Sequence, residues 1–444
     1  MGHHEQNGLF WRKWQSPANP SRNASGANTP CRQDIEKQSI QNGNDRGLEN
    51  FSLRGRLKHF TWAWFTLPMS TGGIALLLKS TPHRFAGLDT IGKIVYIFDL
   101  VVFISLCAAM SARFITNPDT LKKSLVHPTE ALFFPTFFLA LVNVLGGAQE
   151  YGGPSVGGWL EQAMRVLFWV YAALTFIVAV VQYTYLFTAP PNRLTIQSMT
   201  PGWILPIFPV MLCGTLATIF APHQPTQHRM PMLVAGVTFQ GLGWMVSFMV
   251  YAIYIHRLMQ FGLPAPDLRP GMFIAVGPPS FTGLALIGIS QALPADAQYF
   301  AARPGMIVIL QTMADFIAIF LWCLSFWFFC MTFIVILAGM KRMSFHLVWW
   351  AFVFPNVGFT LTTIRIGTQL KSQGVLWVAS IMTILLVAMW LFVSVCHLKA
   401  VVKKQIMMPG LDEDKDAYKD DDRKHNIPVP PDHFETTRGR DGPR

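Results

Sequence analysis

The residues of this 444-residue chain that could act on a solute are prolines, glycines and hydroxyl side chains set inside long apolar stretches. They cluster at five places, residues 66–73, 133–135, 201–209, 269–280 and 354–359. A proline inside a helix removes a backbone donor and clashes with the carbonyl four residues earlier. In lipid, groups freed in this way are tolerated only against protein or a water-filled cavity. The clusters therefore predict helices that are broken where they face a polar pathway.

The elements that must position these residues are apolar stretches, each long enough to cross about 30 Å of hydrocarbon as a helix of roughly 20 residues. The composition agrees, since 52% of the residues are hydrophobic and only 13% are charged. We predict an all-α polytopic membrane protein with about ten transmembrane helices. The predicted stretches are 60–79, 91–113, 130–150, 163–188, 200–220, 232–256, 271–292, 305–338, 345–370 and 374–398.

The five clusters fall on the odd-numbered stretches, whereas the even-numbered ones have almost no interior proline. This alternation predicts an inner ring of five kinked helices around a pore and an outer ring of five plain helices facing lipid. The alternative is that prolines are simply commoner in membrane helices than in soluble ones. Five kinks on strictly alternate stretches favour the pore.

The predicted pore residues are small, carry a hydroxyl or amide, break a helix or are cationic: Thr66, Ser70, Thr71, Pro206, Pro209, Pro278, Ser280, Asn356 and Arg365. Such groups, with the positive ends of broken half-helices, favour an anion. The acids Asp99 and Asp315 lie on even-numbered stretches, so no relay through a protein carboxylate is expected. Protons that move with the solute could then ride on the solute itself.

Two residues allow more than one interpretation. Arg365 could attract carboxylates at one mouth of the pore, or it could snorkel to the interface or pair with Asp315. Phe354 immediately precedes the kink proline of the ninth stretch. A bulky apolar side chain at that point could close the pore by excluding water, or it could be ordinary packing.

The charge pattern predicts orientation and domain limits. Lys and Arg concentrate in the loops that are cytosolic when both termini are cytosolic, so the net charge of +11 reflects positive-inside bias rather than nucleic-acid binding. Residues 1–53 and 405–444 are predicted to be disordered cytosolic tails, and residues 54–404 the transmembrane domain. No nucleotide-binding, catalytic or metal-ligand motif is found, so we expect neither a cofactor nor an enzyme.

Four motifs resemble the malic acid transport proteins of fungi. They are residues 56–65 with 69–73, residues 203–209, residues 269–273 with 276–279, and residues 354–359, and they occur in the same order. These proteins belong to the tellurite-resistance/dicarboxylate transporter family, which also contains the plant slow-type anion channels and the fungal sulfite efflux pumps. The resemblance covers about residues 54–404.

The resemblance implies ten helices in five hairpins, with the odd helices lining a central pore. It also implies a plasma-membrane protein, often a homotrimer with one pore per subunit. The pore of the family is closed by a phenylalanine in the ninth helix, and Phe354 looks like the matching residue. Our first hypothesis is a secondary transporter of C4-dicarboxylates such as malate, succinate and fumarate. The second is a sulfite efflux pump or small inorganic-anion channel. A membrane enzyme or receptor would need titratable clusters that the inner helices lack.

Overall fold

A computed structural model describes residues 53–153, 156–188, 195–407 and 413. The predicted tails lie almost entirely outside these residues. Within the described ranges the chain forms α-helices and short 3-10 or π segments, and no β-strand. The α-helices are α1 (Leu53–Lys58), α2 (Thr66–Ser80), α3 (Leu88–Thr116), α4 (Asp119–Val126), α5 (Glu130–Phe133), α6 (Thr136–Gly147), α7 (Trp159–Thr188), α8 (Phe208–Phe220), α9 (Thr226–Phe261), α10 (Gly277–Gln291), α11 (Gln298–Ala301), α12 (Met306–Gly339), α13 (Phe354–Gln369) and α14 (Gln373–Val402).

Eight helical segments in the described part of the chain are long and apolar enough to cross a membrane. The two other predicted stretches, 60–79 and 200–220, contain α2 and α8, which have only 15 and 13 residues. Each follows a four-residue 3-10 turn, Trp62–Phe65 before α2 and Pro201–Ile204 before α8. Proline near the start of α8 removes backbone donors, and this explains why the helix does not extend further back.

We call α2, α6, α8, α10 and α13 the inner helices. All five share one plan, in which an irregular first half leads into a regular α-helix. The irregular halves of the last two are the 3-10 segments Pro266–Val276 and Leu347–Phe352, and α6 follows a break at Phe134 and Pro135. The prolines that the sequence places in the odd-numbered stretches thus mark where irregular backbone ends and regular helix begins.

We call α3, α7, α9, α12 and α14 the outer helices. They are continuous over 29 to 36 residues. In their most apolar 18-residue windows only 28 to 33% of residues are buried, against 67 to 94% for the segments containing α6, α10 and α13. An apolar helix exposed on most of its surface faces lipid, whereas one that is buried all round lies in the protein interior. The burial agrees with the predicted alternation of inner and outer helices.

Candidate transport pathway

Two cavities lie along the axis of the inner helices. The first lies among the first halves of the five odd-numbered stretches. All the residues that line it belong to these stretches: Thr66, Met69, Phe133, Thr136, Leu139, Leu205, Phe208, Ile274, Leu347, Val348, Ala351, Phe354 and Pro355. Because the inner helices run in the same direction, the first cavity lies towards the side that the loop charges predict to be cytosolic.

The second cavity lies among the second halves of the same stretches. Its lining again comes from the inner helices alone: Gly73, Leu76, Val142, Asn143, Leu212, Thr215, Leu216, Ile219, Phe281, Phe354, Val357 and Leu361. The outer helices contribute no residue to either cavity. The inner ring of helices that proline placement predicts therefore encloses two spaces, one towards each end of the ring.

Phe354 is the residue that both cavities share. It is 1% exposed and borders both spaces. The ring stacks on Phe281 with centroids 5.1 Å apart, and it meets Phe208 edge-on at 6.1 Å. Phe208 and Phe281 also contact each other edge-on at 5.8 Å. We call these three residues the phenylalanine triad, and it lies where the two cavities meet.

Glycines on neighbouring inner helices make room for each ring of the triad. A Cβ atom on Gly277 would lie 2.7 Å from Cζ of Phe208, and one on Gly358 would lie 2.6 Å from Cε2 of Phe281. A Cβ on Gly73 would approach Cδ2 of Phe354 to 3.3 Å. Aromatic pairs in these offset and edge-on geometries attract one another beyond their simple burial. The triad is therefore held by interlocking contacts between four helices.

The sequence points to Phe354 as a pore residue but not to Phe208 and Phe281. A local signal existed for both, since Phe208 lies between two of the predicted pore prolines and Phe281 directly follows Ser280. What the sequence could not supply is the rotation of each helix about its axis. That rotation brings these two rings, and not other nearby aromatics, against Phe354.

The polar groups on the cavity walls are few and uncharged. Thr66 and Thr136 line the first cavity, and the Thr136 hydroxyl donates to the carbonyl of Trp62 at 2.9 Å. Asn143 and Thr215 line the second, and the amide of Asn143 donates to the Met69 carbonyl at 2.8 Å. Among the described residues the Thr215 hydroxyl has no hydrogen-bond partner. No charged side chain is among the lining residues of either cavity.

Three of the predicted pore hydroxyls make contacts between helices. Ser70 donates to the carbonyl of Trp350 at 3.3 Å. Thr71 accepts a hydrogen bond from the indole of Trp390 on α14 at 3.1 Å, and Ser280 bonds Ser325 on α12 at 2.9 Å. Thr71 and Ser280 thus face outer helices, and none of the three lines the two cavities described above.

The predicted prolines and Asn356 are buried around the triad. Pro206 joins the 3-10 turn to α8, and the carbonyl of Pro209 accepts a hydrogen bond from Tyr171 of α7 at 3.2 Å. Pro278 lies in the first turn of α10. The Asn356 amide donates to the Phe352 carbonyl at 2.9 Å, while its side-chain oxygen has no partner among the described residues. These residues shape the helix starts beside Phe354.

Arg365 lies apart from the other predicted residues. It is exposed near the end of α13, about three turns beyond Phe354. Within the described part of the chain no ion pair joins it to Asp315, and neither cavity includes it in its lining. The structure therefore places Arg365 at the surface on the predicted external side.

A buried ion pair ties the opposite end of the pathway. Arg113, at the end of α3, meets Glu130, at the start of α5, at 2.6 Å, and both side chains are fully buried. The Arg113 guanidinium also donates to the carbonyl of Phe60 at 2.7 Å. These bonds join the first three predicted stretches, 60–79, 91–113 and 130–150, at the predicted cytosolic face. The pair was not predicted, because its partners come from different stretches.

The predicted external mouth carries an excess of positive charge. Asp89 accepts from Lys79 at 2.9 Å and lies 3.3 Å from both Arg84 and Lys93. One carboxylate among three cations leaves a net positive field beside the end of α2. Such a field raises the local concentration of anions.

A family model described as a voltage-dependent anion channel matches residues 59–398. The chain is 38% identical over 366 residues to a malic acid transport protein of Schizosaccharomyces pombe. The aligned residues make up 82% of this chain and 83% of the relative. The chain is 24% identical over 344 residues to a sulfite efflux pump of Arthroderma benhamiae, with 76% and 89% covered. The match to the family model spans both cavities and the triad.

Proposed function

The chain belongs to the voltage-dependent anion channel family, and we propose that it is a secondary transporter of C4-dicarboxylates such as malate, succinate and fumarate. In this proposal the solute crosses the plasma membrane through the inner ring, and Phe354 is the gate. The observation that carries the proposal is the pair of cavities lined by inner helices alone, free of acidic side chains and separated by one buried ring.

An anion suits this pathway better than a cation does. The regular parts of all five inner helices start close to the level of the first cavity, as Thr66, Thr136 and Phe354 illustrate. The amino end of a helix carries a partial positive charge, which favours a negative solute at that level. The absence of carboxylates from the lining removes the opposing repulsion. The cations around Asp89 would collect dicarboxylates at the external mouth.

The proposed gate works by excluding water and solute. With the triad packed, the apolar ring of Phe354 leaves no continuous wet path between the cavities. Rotation of that one side chain would join the two spaces without moving a helix. Its neighbours Phe208 and Phe281 would set how easily the ring moves, because they stack against it.

The malate assignment rests on the greater likeness to the malic acid transport protein, 38% identity against 24% for the sulfite efflux pump. The second candidate function, efflux of sulfite or passage of a small inorganic anion, is favoured by the match to that pump over 76% of this chain. Both solutes are small anions, so the same gate and helix ends would serve either. The uncharged groups on the cavity walls, Asn143 and Thr215 among them, would then set the choice.

The partners that follow from this proposal are small dicarboxylate anions, protons that accompany them, and the lipid around the outer helices. A homotrimer with one pathway per subunit fits the proposal because each chain encloses its own pathway. Neither nucleic acid nor a cofactor has a part in it.

The test is the uptake of radiolabelled malate by a fungal strain that lacks its own dicarboxylate carriers. We expect saturable uptake that succinate blocks and that chloride and sulfite leave unchanged. Cells with the empty vector give the background, and surface labelling gives the amount of transporter. Absence of malate uptake despite surface expression would contradict the proposal, and sulfite resistance of the same cells would then support the second function.

A further inference from the structure

Asp99 is a buried acid that the pathway described above does not use. It lies near the middle of the outer helix α3 and is fully buried. Among the described residues no side chain donates a hydrogen bond to either of its carboxyl oxygens. The sequence placed this residue on an outer helix, which is correct, but its side chain points inwards rather than towards lipid.

The carboxyl group of Asp99 lies directly against the inner helix α2. A Cβ atom on Gly72 would lie 2.7 Å from Oδ2 of Asp99 and 2.7 Å from Cβ of Asn143. Asn143 belongs to the wall of the second cavity. Because Gly72 has no side chain, little more than its Cα separates the carboxyl group from that wall.

No countercharge faces Asp99 from the elements that pack around it. The residues that α2 and α6 place beside Asp99 are Gly72 and Asn143, and neither has a titratable side chain. The titratable neighbours are Tyr96 on α3 itself and, stacked on Tyr96 at 5.7 Å, Tyr151. Both phenols donate their protons to backbone carbonyls, of Val144 and Ala75 respectively. The other segments that pack on α3, which are α1, α4 and Trp62–Phe65, meet its far end, where Arg113 pairs with Glu130.

An ionised carboxylate in this position would be costly, because burying an unpaired charge at membrane depth costs several kcal/mol. The neutral acid avoids that cost. Water that enters the second cavity when the gate opens would lower the cost of the ionised form as well. The protonation of Asp99 and the hydration of the cavity are therefore linked.

The same stretch of α2 connects Asp99 to the gate. Gly72 leaves room for the carboxyl group of Asp99, and the next residue, Gly73, leaves room for the ring of Phe354 and lines the second cavity. A small movement of α2 at these two glycines would change both contacts at once.

We propose that Asp99 is a proton-binding site and that an anion passes the second cavity only while Asp99 holds a proton. This proposal rests on the proposed transport function. The step is a reversible proton transfer, in which the carboxylic acid gives its proton to a water molecule in the opened cavity and leaves a carboxylate and a hydronium ion. The carboxylate repels the incoming anion, and the neutral acid lets it pass.

The test compares malate flux at acidic and at neutral external pH in wild-type protein, in Asp99→Asn and in Asp315→Asn. Malate has the same ionisation in all three, so a difference between variants reports on the protein. We expect Asp99→Asn to lose most of the fall in flux that the wild type shows on going to neutral pH. The Asp315→Asn control, which removes another intramembrane acid on α12, should keep the wild-type ratio.

A wild-type pH ratio in Asp99→Asn at equal surface expression would overturn the proposal, as would loss of the ratio in Asp315→Asn instead. Should Asp99→Asn fail to reach the membrane, Asp99→Ser takes its place. A second measurement needs no change at residue 99 and no transport. In purified Asp315→Asn protein, the infrared carbonyl band of a neutral carboxylic acid should persist at neutral pH and shrink when Phe354→Ala is added.

An infrared spectrum without that band would refute the neutral acid even where malate flux is normal. Conversely, a protein that shows the band but transports no malate would leave Asp99 as a proton site and would contradict the proposed transport function. The two failures are thus distinguishable.

Discussion

The inner and outer helices are built from similarly apolar residues and yet differ in regularity and in burial. The outer helices run unbroken for 29 to 36 residues and expose most of their surface. The inner helices are short and regular over only 12 to 16 residues, follow irregular segments and are largely buried. A membrane helix can thus be irregular only where protein or a cavity covers its backbone.

This difference should also decide what a mutation does. On the inner helices glycines lie close to aromatic side chains and hydroxyl groups bond neighbouring helices, so adding or removing a single atom should change the stability of the protein. On the exposed faces of the outer helices the same change meets flexible lipid. Matched substitutions on the two rings therefore test the comparison directly.

The largest effect on stability is expected at the buried ion pair that links an outer helix, α3, to the third predicted stretch, 130–150. Glu130→Ala leaves Arg113 buried with its charge uncompensated by that carboxylate, and breaking such a pair costs about 3–5 kcal/mol. We expect a large loss of folded protein, measured as thermal stability in detergent. The control Asp89→Ala removes an exposed carboxylate at the other mouth and should cost about 1 kcal/mol or less. Equal losses of stability in the two variants would show that the buried ion pair contributes no more than the exposed carboxylate.

The next effect concerns glycine. Gly358→Ala on α13 places a methyl group 2.6 Å from a ring carbon of Phe281, and such overpacking costs about 1–3 kcal/mol. Gly241→Ala on α9 meets no atom within 4 Å, and its higher helix propensity should stabilise by up to about 1 kcal/mol. The two variants should thus change the melting temperature in opposite directions. A shift of the same sign in both would contradict the close packing of the triad.

The third prediction separates hydroxyls that line the pathway from those that join helices. Ser280→Ala breaks the bond to Ser325 and should cost about 0.5–1.5 kcal/mol with little change in malate flux. Thr215→Val, in the wall of the second cavity, should alter flux or selectivity with little loss of stability. Should Ser280→Ala abolish flux in a stable protein, Ser280 would be a pore residue, as the sequence pattern predicts.

The smallest effect is expected on the lipid-facing side of the outer helices. Phe316→Leu on α12 changes a side chain that is 72% exposed and should alter stability by no more than about 0.5 kcal/mol. Melting curves and malate uptake should both match the wild type. A pronounced loss in either would show that this face of α12 packs against protein rather than lipid.

Much of the fold could be predicted because proline and glycine act locally. Pro209 and Pro355 stand at the starts of regular helices whose positions they largely determine, so the alternation of the rings is visible in the sequence. The rotation of each helix has no such local marker in a chain that is apolar on every side. For that reason the outward bonds of Thr71 and Ser280 and the inward position of Asp99 required the structure.

The proposed gate is tested most directly by malate flux into proteoliposomes that contain either Phe354→Ala or the control Phe320→Ala. Phe320 lies on α12 and is 72% exposed, so the control removes the same ring from the outer side. We expect Phe354→Ala to join the two cavities and raise basal flux, and Phe320→Ala to leave the flux unchanged. Wild-type flux in Phe354→Ala, at equal amounts of reconstituted protein, would contradict the gate.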